Sequence, residues 1–474
     1  MPRLLPMCLF VLPLLLATPA PAAPMPPRIP DAAVATAIEL REAALAGNPA
    51  YAIVESLTSE IGPRLPGTDA DARAVAWAEA RLRALGFDRV WTEPVTFPLW
   101  RRGSERAEVL PPYAQPLAVT ALGGSVGTGG PVEAEVVEIA DFDALLALPP
   151  GSLEGRIAYV AYRMERARDG SGYGPAVRAR SQGPSEAARR GARALLIRSI
   201  GSDSHRFPHT GNLRYADDAP QIPAAALSNP DADQLSRLLA RGAPVRVRLE
   251  LDVGFSGDYT SHNVIGEITG REAPDEIVVI GAHLDSWDLG TGAIDDGAGI
   301  GITFAAGAAI AALDTRPRRS IRVIAFANEE QGLLGAKAYA RDNAAIMPKH
   351  VIGAESDFGA GRIYALRAGV AAAAWPALER IGAVLAPLGI ELQRDAGGPG
   401  PDIIPMHQAG MPWAQLAQDG TDYFDYHHTA DDTLDKIEPA ALDQQVAAYA
   451  AFTWMMAESV GEFRVDTSEA ANAR

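Results

Sequence analysis

Cysteine and lysine are nearly missing from this chain. Its 474 residues hold one cysteine, Cys8, and three lysines, Lys337, Lys349 and Lys436. Beyond the N-terminal segment that contains Cys8 there is no thiol, which excludes disulfides and cysteine-based zinc sites. Positive charge is short as well: 42 Lys and Arg stand against 59 Asp and Glu, a formal net charge of −17. A surface of that sign argues against nucleic acid and anionic membranes as partners and favours solubility. Low-complexity tracts are absent, so nothing points to disorder. Past the first 17 residues, no apolar run reaches the roughly 20 residues a spanning helix requires.

What the chain does have is apolar content, 48 % hydrophobic over a length that predicts two domains. Residues 1–22 begin with Arg3, continue through an apolar core and end in Ala20-Pro-Ala22. That order is a secretory signal, so the mature protein is expected to be exported, periplasmic or extracellular, with no membrane span after cleavage.

Residues 31–46, 49–60 and 69–85 carry apolar residues at helical spacing, and 90–97 and 107–110 are strand-like. Between about 116 and 250 the texture changes to Gly and Pro breaks, short β-like runs (132–139, 156–162, 245–251) and two helical segments (185–190, 231–240). This stretch is expected to be an inserted β-rich domain. From Asn263 onward, continuous apolar strands (277–282, 321–327, 351–355, 413–416) alternate with helices (297–313, 332–341, 372–388, 439–459). That alternation predicts an α/β fold: a mixed, mostly parallel sheet covered by helices on both faces. The predicted boundaries are a signal peptide at 1–22, the N-terminal part of the main domain at 27–115, the insert at 116–250 and the catalytic part at 251–465.

Active residues of such sheets gather at the carboxyl ends of strands, and there the polar motifs fall. His283 ends the first strand, and Asp285 is placed to hold its other ring nitrogen and fix the tautomer. Alone, His-x-Asp fits a structural histidine equally well. Asp295-Asp296-Gly297 opens a Gly-rich turn; an aspartate there suits a bridge between two cations, while Asp296 also suits a helix cap. Glu329-Glu330 follows the next strand. Adjacent carboxylates repel unless cations or a shared proton compensate, so if Glu330 binds metal, Glu329 is left to accept a proton. A solvated acidic loop is the bland alternative. Asp357 follows the third strand, and His428 lies in Tyr423-Phe-Asp-Tyr-His-His-Thr429, with His427 as its rival. As one ordered series on successive strand ends, these residues point to a two-metal hydrolase. His205 and His209 are four apart, but Pro208 spoils a helical zinc pair there, and both read as structural.

These motifs resemble the co-catalytic di-zinc exopeptidases of the bacterial leucyl aminopeptidase type, and within them the plasma glutamate carboxypeptidase (carboxypeptidase Q) group. The matching pieces are His-Leu-Asp-Ser-Trp-Asp at 283–288, Gly-Thr-Gly-Ala-Ile-Asp-Asp-Gly-Ala-Gly at 290–299, Asn-Glu-Glu-Gln-Gly at 328–332, Glu-Ser-Asp at 355–357, Gly-Gly-Pro-Gly-Pro-Asp at 397–402 and His-His-Thr-Ala-Asp-Asp-Thr at 427–433. Ile61–Gly67 resembles the N-terminal segment of that group, and Pro208-His-Thr-Gly211 and Ile222-Pro-Ala-Ala-Ala226 resemble its protease-associated insert. Pro401 departs from the pattern, where a small residue is usual, and leaves the shape of that pocket loop open. The resemblance implies two Zn2+ per chain, one on His283, Asp295 and Asp357 and the other on Asp295, Glu330 and His428. Asp295 would bridge them, and Glu329 would be the general base on the metal-bound water. Three carboxylates and two imidazoles independently suit zinc.

The reading is a secreted di-zinc metallo-exopeptidase, an aminopeptidase or dipeptidase acting on short peptides. Asp288 and Asp402 are candidates to hold a free amino end, although each reads more readily as a turn or capping residue, and the insert would shape access without supplying a metal ligand. A zinc carboxypeptidase or an N-acyl amino acid hydrolase is the alternative. A binding protein on a peptidase scaffold is the reading from another class, but five ligands and a base argue against it. The sequence leaves a homodimer open.

Overall fold

The structure, a computed structural model, describes residues 25–394 and 396–465. The expected signal peptide lies outside these residues. In chain order the strands are β1 (Arg89–Val109), β2 (Gln115–Leu117), β3 (Val119–Ala121), β4 (Val132–Ile139), β5 (Ile157–Val160), β6 (Ala194–Arg198), β7 (Ala224–Leu227), β8 (Arg246–Ile268), β9 (Ala273–His283), β10 (Arg319–Phe326), β11 (His350–Glu355), β12 (Ile363–Gly369), β13 (Glu391–Leu392) and β14 (Trp413–Gln418). Among the described residues they join in one sheet, ordered β13-β12-β14-β11-β9-β10-β8-β4-β5-β6-β7-β3, with β1 and β2 paired off this path.

The catalytic part is built on β9, flanked in parallel by β10 and β11, with β14 parallel to β11. The run Ile277-Val278-Val279-Ile280 is apolar on both faces because both are covered. Successive side chains alternate across a strand: Val278 and Ile280 join one apolar cluster, Ile277 and Val279 another. Helices Ala298–Ala311, Pro439–Glu458 and Asp31–Ala46 contribute to the first; Leu334–Asp342 and Ile404–Gln408 contribute to the second. The segment Ala293–Ala311 meets the length and composition of a membrane span, contrary to the expectation that none would beyond the N-terminus, but 89 % of it is buried inside the protein. It is a core helix, made thin by glycines where backbone comes close. A Cβ on Gly299 would collide with the Ser356 carbonyl.

Two long strands tie the halves together. The first half of β8 pairs with β4 of the insert and its second half with β10 of the catalytic part, both antiparallel. The strand-like stretches expected at 90–97 and 107–110 are one strand, β1, which follows β8 along nearly its whole length. Pro94 and Pro98 are tolerated because β1 has a partner on its other side only at Ala107–Val109, and register shifts beside Pro98 and Arg102 absorb the irregularity. The insert itself mixes strand and helix: β4 to β7 run parallel, among helices Phe142–Ala147, Tyr173–Ser181, Gly183–Arg189 and Asn229–Leu239. Two of those helices, and strands β2, β3, β6, β7, β12 and β13, escaped the periodicity. The strands are short, and β6 and β7 are buried on both faces, so no polar residues alternate to mark them.

Away from the strand ends, a polar chain crosses the second cluster. Arg322 Nε donates to Glu267, its Nη1 donates to the Tyr339 oxygen, the Tyr339 hydroxyl donates to His350 Nε2 (2.9 Å), and His350 Nδ1 donates to the Ile346 carbonyl. Burial, with the cations of Arg322 and Arg464 nearby, lowers the His350 pKa to about 4. The unfolded chain takes up a proton near pH 6.5 that the folded chain refuses until about 4. Stability from this group is therefore complete above pH 6.5 and is lost as pH falls through that window, up to about 3 kcal/mol. We predict that His350→Gln flattens the dependence of urea-unfolding free energy on pH between 6.5 and 4; a slope equal to the wild type's would contradict the assignment.

Candidate active site

Each predicted site residue except His428 stands at or just beyond the carboxyl end of a catalytic strand or in the turn that follows. His283 closes β9, Glu329 and Glu330 follow β10, and Asp357 follows β11. His283 Nε2 is 3.1 Å from Asp295 Oδ1 and 3.7 Å from Asp357 Oδ1. Asp295 Oδ2 is 3.2 Å from His428 Nε2, which is 3.0 Å from Glu330 Oε2. The two oxygens of Asp295 thus face two different imidazoles. His283, Asp295, Glu330 and His428 are all under 10 % exposed.

Local structure explains these orientations. Asp296 accepts from the His283 backbone N–H and from the Gly299 N–H three residues ahead, capping the core helix as expected. Asp432 accepts from the Ala293 and Ile294 N–H groups at 2.7 and 2.8 Å and pins the turn that carries Asp295. Asn328 and His428 have positive φ, 53° and 63°, unusual outside glycine. Both lie where the chain must turn to aim a ligand.

Asp285 differs from the expectation. Its backbone carbonyl, not its carboxylate, accepts from His283 Nδ1 (3.0 Å), while the carboxylate stands 3.8 Å away. The carboxylate accepts instead from the Glu329 N–H (3.0 Å) and the Glu330 N–H (3.3 Å), fixing the acidic pair. Strand ends bring the β9 and β10 loops side by side, so the nearest donors to Asp285 are those two amides. For His428, the corresponding acceptor comes from the insert: Nδ1 donates to the Thr210 carbonyl (3.3 Å), and the Thr210 N–H donates back to the His428 carbonyl (3.0 Å). Both histidines therefore present Nε2 inward. His427 stacks on His428 with ring centroids 3.4 Å apart, and its Nε2 is 3.6 Å from Asp295 Oδ2. His209 is held by Asp203 (2.7 Å) and His205 stacks on Tyr426, which fits their structural reading.

The residues fit divalent cations. His283, Asp295 and Glu330 offer ligand atoms mutually within 4.8 Å, as do His283, Asp296 and Asp357, and Asp295, His427 and His428. Asp295 Oδ2 and Glu330 Oε1 are buried without a hydrogen-bond partner. Burial first, then neighbouring carboxylates, pushes the acids of Asp296, Glu329, Glu355 and Asp402 well above the usual carboxylate range. So many buried acids with unpartnered oxygens call for cations at their centre.

The site opens into a cavity of about 330 Å3. Glu329, Glu330, Asp357 and His428 line it, with Glu355 and Pro401 on one side and Asp169, Tyr173 and Arg180 of the insert on another. Neither acid expected to hold an amino end lines the cavity. Asp288 is paired with Arg102 at 2.9 Å, and Asp402 is fully buried behind Glu355, whose Oε2 accepts the Asp402 N–H. Glu355, Arg180, Tyr173 and Thr210 are functional candidates that pattern reading passed over.

Imidazoles and carboxylates converging at the strand ends of an α/β sheet, beside a peptide-sized cleft, define a metallopeptidase centre. Residues 263–453 match peptidase family M28. Carboxypeptidase Q of Bos taurus is 35 % identical over 414 residues, 87 % of this chain and 86 % of that protein. The crystal structure of a peptidase M28 precursor from Shewanella amazonensis SB2B has a TM-score of 0.90 and 50 % identity, covering 92 % of this chain and 98 % of that one. BSAP, a zinc aminopeptidase from Bacillus subtilis, shares the fold with a TM-score of 0.62 at 20 % identity, over 85 % of this chain and 93 % of its own. The chain belongs to peptidase family M28 and is a metallopeptidase.

Beneath the site lies Arg64, 0 % exposed, in the loop that follows the N-terminal helices. Its guanidinium donates to the carbonyls of Leu284 (2.6 Å), Thr291 (2.7 Å) and Gly292 (2.9 Å), bracing the loop between His283 and Asp295. Arg64→Met should leave the Leu284 and Thr291 carbonyls without a donor, remove one of the two donors to Gly292, and cost about 3–5 kcal/mol. Chemical denaturation of the variant checks this; a loss under about 1 kcal/mol would contradict the bracing role.

Proposed function

We propose that the protein is an exported di-zinc exopeptidase that cleaves dipeptides and other short peptides from a free amino end. The observation that carries this reading is Asp295, whose two oxygens face His283 and His428 separately, so that one carboxylate would serve two cation sites. His283, Asp295 and Asp357 would hold one zinc, and Asp295, Glu330 and His428 the other. Zinc bound there supplies Lewis acidity to the scissile carbonyl.

The remaining chemistry belongs to the chain. Glu329 has no ligand role and is fixed through its N–H by Asp285; it accepts the proton of the attacking water and returns it to the leaving amine. Glu355, in the cavity wall with Oε1 unpartnered, receives the substrate ammonium in place of Asp288 or Asp402. Tyr173 and Phe424, ring centroids 5.0 Å apart, give the cavity wall an aromatic face. We assign residues 116–250 as the family's protease-associated insert between peptidase segments 27–115 and 251–465, and residues 1–22 as the export signal.

Glu329→Gln should lower kcat on a free dipeptide on the order of 10²–10⁴-fold while zinc content stays at the wild-type level. Glu330→Gln should also weaken zinc retention. On the wild type, N-acetylation of the dipeptide should abolish cleavage. Full activity of Glu329→Gln would remove it as the base, and equal rates on free and acetylated dipeptides would remove the amino-end reading.

A further inference from the structure

Among the described residues Arg180 is the one strongly buried cation in the cavity wall without an anion. It lies at the end of helix Tyr173–Ser181 of the insert, 6 % exposed, and lines the cavity. One Nη donates to the Tyr173 hydroxyl and the other reaches the Thr210 carbonyl at 3.5 Å. Among the described residues it makes no ion pair with a carboxylate, and its Nε is buried without a partner. An uncompensated buried guanidinium is costly, and its planar fork matches a carboxylate. The chain also makes room for it: a side chain on Gly211 would collide with the Arg180 guanidinium and crowd His428 Nδ1.

Its position gives the direction. Arg180 stands beside His428, on the side of Asp295 away from His283 and Asp357. Glu355 and Asp357 mark the amino end, so a peptide laid across Asp295 points its leaving-group residue at Arg180.

We infer that Arg180, oriented by Tyr173, is a specificity-determining residue that binds the C-terminal α-carboxylate of the substrate. The inference rests on the peptidase reading above and deepens it. It also gives the insert a chemical role in selecting substrate.

The test compares alanyl-alanine, alanyl-alaninamide and alanyl-glutamate α-amide, which keeps a side-chain carboxylate but no α-carboxylate. For the zinc-loaded wild type, kcat/KM should favour the free acid over both amides on the order of 10²-fold. Arg180→Met should collapse that ratio toward unity, and Arg180→Lys should restore part of it. Calorimetric binding to the Glu329→Gln protein should show the same preference for alanyl-alanine over its amide. Equal wild-type rates on acid and alaninamide would overturn the inference with the peptidase reading intact, whatever the folding of the variants. Equal loss on all three substrates in Arg180→Met would reduce Arg180 to a structural part. Rates on alanyl-glutamate α-amide matching the free acid would move the recognised group to the side chain. Cleavage of none of the three would overturn the underlying reading as well.

Discussion

Everything at the strand ends answers to one electrostatic constraint. Asp295, Asp296, Glu330, Glu355 and Asp402 are all less than a tenth exposed and close enough to raise one another's cost of ionisation. Charges held in a low-dielectric interior repel far more strongly than in water. Some of that cost is offset by backbone: amides at 293 and 294 for Asp432, at 283 and 299 for Asp296, at 329 and 330 for Asp285. The acids given such donors are the ones that position the loops. Asp295 and Glu330 each face an imidazole and each keep one oxygen without a hydrogen-bond partner. The division separates residues that build the site from residues that bind in it.

The second dependence is on the long ribbon of β1 and β8. Because β8 pairs with β4 along its first half and β10 along its second, the insert is fixed against the catalytic strands by continuous pairing. That rigidity lets one loop of the insert set the His428 ring through the Thr210 carbonyl, and one helix place Tyr173 and Arg180 in the cavity wall. A binding site assembled from two halves of a chain needs such a connection, since errors of about 1 Å in the supporting groups degrade function.

Much of this was legible in the sequence where the signal is local. The four-residue run 277–280 announced a strand covered on both faces, and the acids after β10 and β11 fell where an α/β sheet gathers its active residues. His283, Asp295, Glu330, Asp357 and His428 do converge. What was not legible depends on contacts distant in sequence or on backbone atoms. Thr210 acts through its carbonyl, which any residue has. Arg180 is one arginine among many until the fold shows it buried in the cavity wall with its Nε unpartnered. Asp285 lies two residues from His283, which suggested a direct pairing, yet the amides of a neighbouring strand's loop capture its carboxylate. Asp288 and Asp402 looked available because their occupants, Arg102 and the wall behind Glu355, lie far away in the chain.

The central claim is that the buried acids enclose two cation sites sharing Asp295. Calorimetric titration of zinc into chelator-stripped protein at neutral pH tests it most directly. The account predicts two equivalents per chain for the wild type and fewer for Asp295→Asn, with a matching rise in thermal stability as zinc fills the wild-type sites. Saturation at one equivalent, or no binding, would contradict it.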